Sequence, residues 1–340
     1  MNFTELLQTK EYDFLRTEPR LGSRIMLLGI SGSHGYGTNR EGSDVDFRGV
    51  TLNLPSDLIG LTTFEQFEDR TTDTVIYGFT KLVSLLINCN PNTIELLGLD
   101  DDQYYIKSEL GQRLLDNRGL FLSKRAAASF GHYADAQLRR LQNAIARDSM
   151  TQSEREQHIL RSVRHALEDF NNRQREEDRN NTRLYVATAV TEGLDTEIFL
   201  DADLKHYPLR RYTDMMNTLN SVVRDYDKVG KRNQKKDDNH LNKHAMHLIR
   251  LFMMGIDILE KGEIRTHRPP DDLKLLRSIR DGEYMEDSRL SNSFYELLAE
   301  YEERFEQAEK ASTLPDNPDM DQIEALVEEI NRHAVLEAIL

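Results

Sequence analysis

Short apolar runs broken by polar turns dominate the first hundred residues. "RIMLLGI" (24–30) is a continuous apolar run ending in glycine, and it predicts a buried strand. "DVDFRGVTL" (44–52) partly alternates apolar and polar positions and predicts a second strand. The β-branched "TDTVIYG" (72–78) predicts a third. "FTKLVSLLIN" (79–88) has helical periodicity and stops just ahead of Asn90-Pro91, because a residue before proline avoids the helical region. "NPNTIELLG" restarts a short helix, with Asn90 as its cap and Pro91 in its first turn.

From about Ser123 the period becomes helical. One long helix is expected over 123–148, capped by Ser123, and another over 151–178, where Thr151 and Glu154 have the spacing of a capping box. "RLYVATAV" and "EIFLDADL" predict a hairpin near 183–204. Further helices are expected over 209–227, 239–261, 271–280 and 291–310, with an acidic amphipathic one from Gln322. The expected fold is α+β: a small mixed-sheet domain over residues 1–120, then a mostly helical domain over 121–340 carrying the hairpin.

Composition narrows the class. Hydrophobic residues are 38% and charged residues 30% of the 340, the balance of a folded globular chain and not of a disordered one. No apolar run reaches spanning length, and "MNFTELLQTK" lacks the basic and apolar regions of a signal peptide. The single cysteine, Cys89, follows an apolar run and reads as core. These features favour the cytoplasm. The net charge of −15 means that a polynucleotide partner has to meet a local basic patch. The clearest is 224–238, with Lys228, Lys231, Arg232, Lys235 and Lys236; it reads as an RNA contact or, given its interleaved acids, as a charged linker.

The chemistry concentrates in "GISGSHGYGTNREGSDVDFRG" (29–49). There is no lysine for a Walker phosphate loop, and Gly32, Gly35 and Gly37 do not fit the dinucleotide fingerprint, after which a helix should follow; a strand is expected here instead. In an extended strand Asp44 and Asp46 project to the same face, with Val45 turned inward. Two such carboxylates repel unless a cation sits between them, and hard oxygen donors favour Mg²⁺ or Mn²⁺. Such metals serve phosphoryl and nucleotidyl transfer. Gly32 and Ser33 then suit triphosphate oxygens, because no side chain blocks approach to the glycine backbone.

This arrangement resembles the DNA polymerase beta-like nucleotidyltransferase superfamily: an apolar strand, Gly32-Ser33, a ten-residue spacer, then Asp44-Val45-Asp46. The resemblance extends to a narrower group of predicted nucleotidyltransferases, some found with RNA ligases. The matching residues are Gly32-Ser33, Tyr36-Gly37, Ser43 through Gly49, Asp73, Tyr77, Lys81, Asn90-Pro91 and Glu95. Later matches are Tyr133 and Gln137, then Lys243, His247 and Arg250-Leu251. The segment 151–236 is longer than the group's usual connection. The resemblance implies transfer of a nucleoside monophosphate from an NTP to a hydroxyl acceptor, with an RNA or tRNA end favoured. A protein hydroxyl or small molecule is the alternative acceptor, and an inactive nucleotide-binding scaffold is a reading of another class.

Asp73 is the expected third carboxylate, with Glu65, Glu68 and Asp69 as rivals. Asp44, Asp46 and Asp73 are thus the expected metal ligands and catalytic residues. The expected nucleotide-binding set is Gly32, Ser33, Tyr36, Arg48, Lys243, His247 and Arg250. Arg48 shares a strand face with Asp46, to pair with it or with a phosphate, and Lys243, His247 and Arg250 share a helix stripe at i, i+4, i+7. His240, His244 and His247 have zinc-compatible spacing, but no thiolate or glutamate completes the set. Tyr133, Gln137 and Arg140 share a face that either lines the cleft or packs. Asn90-Pro91 and Glu95 read as architectural.

Overall fold

A computed structural model describes residues 2–148, 182–190, 196–209, 212–213, 216–217, 219–220, 238–286 and 289–336. The chain divides into two compact units, Met1–Arg140 with Asn242–Leu340, and Leu141–Leu241. The fold class is α+β.

The first unit is built on a five-stranded mixed sheet, ordered β3-β4-β2-β1-β5. Its strands are β1 (Ile25–Ser31), β2 (Asp46–Thr51), β3 (Gln66–Asp69), β4 (Thr74–Gly78) and β5 (Tyr104–Lys107). β2 runs parallel to β4, and the other neighbours are antiparallel. All seven residues of β1 are buried, which is why an unbroken apolar run forms the inner strand. Burying its side chains stabilises the sheet by about 1.5–3 kcal/mol for each large one. The expected strand 44–52 is shorter than its pattern, so Asp44 and Val45 precede β2. From the N-terminal segment, Leu7, Tyr12 and Leu15 join Leu28, Phe47 and Ile76 in one buried cluster.

Helices follow. Phe79–Leu86 leads to Pro91–Ile94, where the Asn90 side chain accepts the Asn92 N–H at 3.0 Å. The long helix runs Arg125–Asp148, with Ser123 Oγ accepting the Arg125 N–H at 3.4 Å. Asp238–Lys261, Pro270–Asp281, Asn292–Ala311 and Met320–Leu336 lie within two residues of their expected limits. In the second unit, β6 (Thr182–Thr188) and β7 (Thr196–Ala202) form an antiparallel hairpin, Thr182 opposite Ala202 and Thr188 opposite Thr196. The expected helix over 151–178 and nearly all of the basic cluster 224–238 lie outside the described residues, as does much of 209–227.

Candidate active site

β1 ends at Ser31, which pairs with Asp46 across the β1–β2 ladder. The chain then turns at Gly32, whose φ of +58° favours glycine, into a short helix Gly32–Tyr36. Gly37, at φ +78°, ends it as a left-handed cap, with Thr38 N–H bonded to Ser33 O at 2.9 Å. The expectation of a loop running straight into a strand is therefore corrected: one turn of helix intervenes. The two positive-φ glycines that bracket it allow the chain to enter and leave so short a helix.

The Asp46 carboxylate sits directly on this turn, and a Cβ placed on Gly32 would collide with its Oδ2. Parallel pairing sets Phe47 beside Thr74, which brings Asp73 alongside Asp46. Asp73 lies close enough for its charge to act on the Asp46 carboxyl. Burial, opposed by Arg48 and reinforced by Asp73, pushes the Asp46 carboxyl up to about 6. Arg48 holds the other side of the corner, donating to Asp73 O at 2.6 Å and Phe47 O at 2.9 Å. Asp73 has φ +49°, a left-handed conformation that aspartate tolerates better than most residues.

The rival acids are engaged elsewhere. Asp69 Oδ1 accepts the Thr71 and Thr72 N–H groups, both at 2.9 Å, and so closes the β3–β4 turn. Glu65 pairs with Lys81 at 3.0 Å and Glu68 with Arg70 at 3.0 Å. Asp44 is exposed, two residues ahead of the Asp46 that opens β2. Lys243 is exposed too, and its positive charge acts on Asp46. Among the described residues no three carboxylate, histidine or cysteine side chains gather at metal-binding spacing. The chemistry of the donors nonetheless suits Mg²⁺ or Mn²⁺: Asp46 and Asp73 offer hard carboxylate oxygens on neighbouring strands, and a divalent cation would relieve their mutual repulsion.

Behind the turn lies a buried polar network centred on Glu95, which is 7% exposed. Glu95 Oε1 accepts the Ser31 hydroxyl at 3.2 Å, and Oε2 accepts the Tyr36 hydroxyl. Arg250 Nη1 pairs with Oε2 at 3.5 Å, and its guanidinium lies 3.6 Å from the Tyr36 ring centroid. His247 meets the same ring edge-on at 6.5 Å. Tyr36 and Arg250 are thus interior residues, whereas Gly32, Ser33 and Arg48 remain partly accessible. Burial, with the charges of Arg250, Lys243, His244 and Arg280, holds His247 well below its ordinary value and therefore neutral. Tyr133 OH accepts from Asn90 Nδ2 at 3.0 Å and Gln137 Nε2 lies 2.7 Å from His244 Nδ1, so these two pack, whereas Arg140 on the same face is exposed. The side chain of His240 lies outside the described residues. Sequence reasoning passed over Ser31 and gave Glu95 no part in the site; the available signal was a lone acid inside the apolar "TIELLG".

The glycine turn and the Asp46 carboxylate lie at the ends of neighbouring inner strands of a mixed sheet. Residues 7–169 match RlaP, the RNA repair pathway DNA polymerase beta family. The chain resembles the DNA polymerase beta-like nucleotidyltransferases in their RNA-repair group. The matched span contains β1–β5, Gly32, Asp46, Asp73 and Glu95, and ends before Lys243. No curated protein and no solved structure matches the chain. No helix among the described residues is long and apolar enough to cross a membrane.

Proposed function

We propose that the protein is a metal-dependent nucleotidyltransferase that transfers a nucleoside monophosphate from an NTP to the hydroxyl of an RNA end, a tRNA end included, and releases pyrophosphate. The observation that carries the reading is the Asp46 carboxylate seated on Gly32, with Asp73 brought alongside it by the β2–β4 register. Asp46, Asp73 and the exposed Asp44 would hold Mg²⁺ or Mn²⁺. Bound there, the ion supplies acidity for the acceptor hydroxyl and neutralises leaving-group charge.

The chain's own residues do the rest. Residues 1–120 are the catalytic domain. Gly32 and Ser33 offer backbone N–H groups and a hydroxyl to the triphosphate, close enough because Gly32 has no side chain. Asp73 accepts the proton of the acceptor hydroxyl, held in position by the Arg48 contact to its carbonyl. Lys243 counters the charge that develops on the departing pyrophosphate. Tyr36, His247 and Arg250 support the nucleotide site from beneath. The single buried cysteine suits work in a reducing cytoplasm.

RNA as acceptor is favoured by the family description. A protein or small-molecule hydroxyl is the second reading, favoured by the net charge of −15. Incubation with each α-³²P NTP and Mg²⁺, with total RNA in one arm and protein in the other, separates them. Label on RNA supports the first reading, and label on protein supports the second. Pyrophosphate release without any labelled acceptor would overturn both.

A further inference from the structure

The Glu95 network has a geometry that packing alone does not require. Its carboxylate holds both ends of the Gly32–Tyr36 helix at once. Oε1 takes the hydroxyl of Ser31, the residue immediately before Gly32, at 3.2 Å, and Oε2 takes the hydroxyl of Tyr36, the last residue of the helix. Ser31 is also the residue opposite Asp46 in the β1–β2 ladder. One side chain therefore fixes the entry to the turn, its exit, and the strand position facing the site carboxylate.

Glu95 is itself held from two further directions. Thr266 Oγ1 donates to its backbone carbonyl at 2.6 Å, and Arg250 meets its Oε2 at 3.5 Å. Ser31, Tyr36, Glu95, Arg250 and Thr266 are each less than 9% exposed. A buried carboxylate is costly unless its partners are in place, and a fully bonded one restricts its neighbours to a single arrangement. Gly32 needs such restriction more than other residues, because glycine leaves the backbone free to leave the φ of +58° that the turn requires.

We infer that Glu95 is a positioning residue for nucleotide binding: acting through Ser31 and Tyr36, it holds the Gly32–Ser33 turn in the one conformation that presents its N–H groups to the triphosphate. The inference rests on the proposed nucleotidyltransferase reading. Glu95 touches no substrate. It preorganises the backbone that does, so its loss weakens nucleotide binding in protein that is still folded.

The test is equilibrium binding of ATP, GTP, CTP and UTP, each with Mg²⁺, to the full chain, together with thermal melts of every variant. Binding is measured well below all the melting temperatures. Glu95→Gln is expected to weaken the preferred NTP by at least tenfold. Ser31→Ala and Tyr36→Phe, which each remove one arm, are expected to produce smaller losses. If Glu95→Gln does not fold, the two single-arm variants carry the test. Wild-type affinity in folded Glu95→Gln, or in both single-arm variants, overturns the positioning role and leaves the nucleotidyltransferase reading intact. Wild-type protein that binds none of the four overturns that reading, and this inference with it.

Discussion

Asp46 rests on Gly32 so closely that any side chain at position 32 would have to displace its carboxylate. The carboxylate fills the space a Cβ would take, and the backbone there has φ +58°. The strand carboxylate and the glycine turn are therefore one device, and each restricts the position of the other.

Gly32→Ala tests that device. The left-handed backbone costs alanine about 1–2 kcal/mol, and the new methyl group drives the carboxylate aside. Turnover is expected to fall by roughly 10²-fold, the scale of a displacement of about 1 Å in a site. Gly262→Ala is the control: its φ is +64°, yet a Cβ there meets nothing nearer than Leu314 at 3.8 Å. That variant should lose stability and keep its activity. Equal losses of activity in the two would show that the space above Gly32 is irrelevant.

Asp73→Asn removes a charge with little disturbance of the backbone, since asparagine also accepts the φ of +49° found there. The kcat is expected to fall by roughly 10²-fold or more if Asp73 is both ligand and base. Asp69→Asn should instead weaken the β3–β4 turn, where Asp69 Oδ1 accepts two N–H groups, and spare turnover. Steady-state rates and melts on both variants check the contrast.

Lys243 and Arg250 lie on one helix stripe but at different depths. Lys243 is exposed and its field reaches Asp46, so Lys243→Ala should weaken transition-state binding by about 2–3 kcal/mol with little change in melting temperature. Arg250 is 7% exposed and paired with Glu95, so Arg250→Ala leaves a buried carboxylate unpaired and should cost about 3–5 kcal/mol of stability. Urea unfolding beside kcat/KM separates the two effects.

His247 gives a pH dependence with a definite sign. Its folded-state value is depressed, first by burial and then by Arg250, Lys243 and His244 on its own helix and Arg280 on another, with the Tyr36 ring at its edge. The unfolded chain takes up a proton near the usual value of about 6.5 while the folded chain does not. The stability it confers is thus present above that pH and is lost as pH falls below it, by at most about 1.4 kcal/mol per pH unit. Urea midpoints at pH 7 and pH 5 should differ less in His247→Gln than in wild type. An unchanged difference would contradict the assignment.

The sequence revealed those parts of the fold that rest on uninterrupted patterns. β1 is an apolar run, the helices after 238 keep a clean period, and Asn90-Pro91 spells out its own cap. β3 and β5 were not foreseen, because "QFED" and "YYIK" are four residues each and their positions come from pairing with β4 and β1. The one-turn helix at Gly32 was hidden by its glycines, which weaken any helical signal. At the site, the Asp46–Gly32 association follows from motif spacing. That Asp73 faces Asp46, while Asp69 closes a turn, depends on strand register, which composition does not encode. The stripe of Lys243, His247 and Arg250 gives direction around the helix and says nothing of depth. The part of Glu95 is set by contacts from three separate segments, which no local pattern contains.

The central claim is a carboxylate-dependent nucleotidyl transfer centred on Asp46, and Asp46→Asn tests it most directly. Burial and Asp73 already disfavour the Asp46 charge, so the neutral amide should keep or raise the melting temperature at pH 7. The measurement is transfer of label from α-³²P NTP to RNA with Mg²⁺, read together with pyrophosphate release, for wild type and folded Asp46→Asn. The account predicts labelled RNA and matching pyrophosphate from wild type, and neither from the variant. Equal transfer by the two proteins would contradict it.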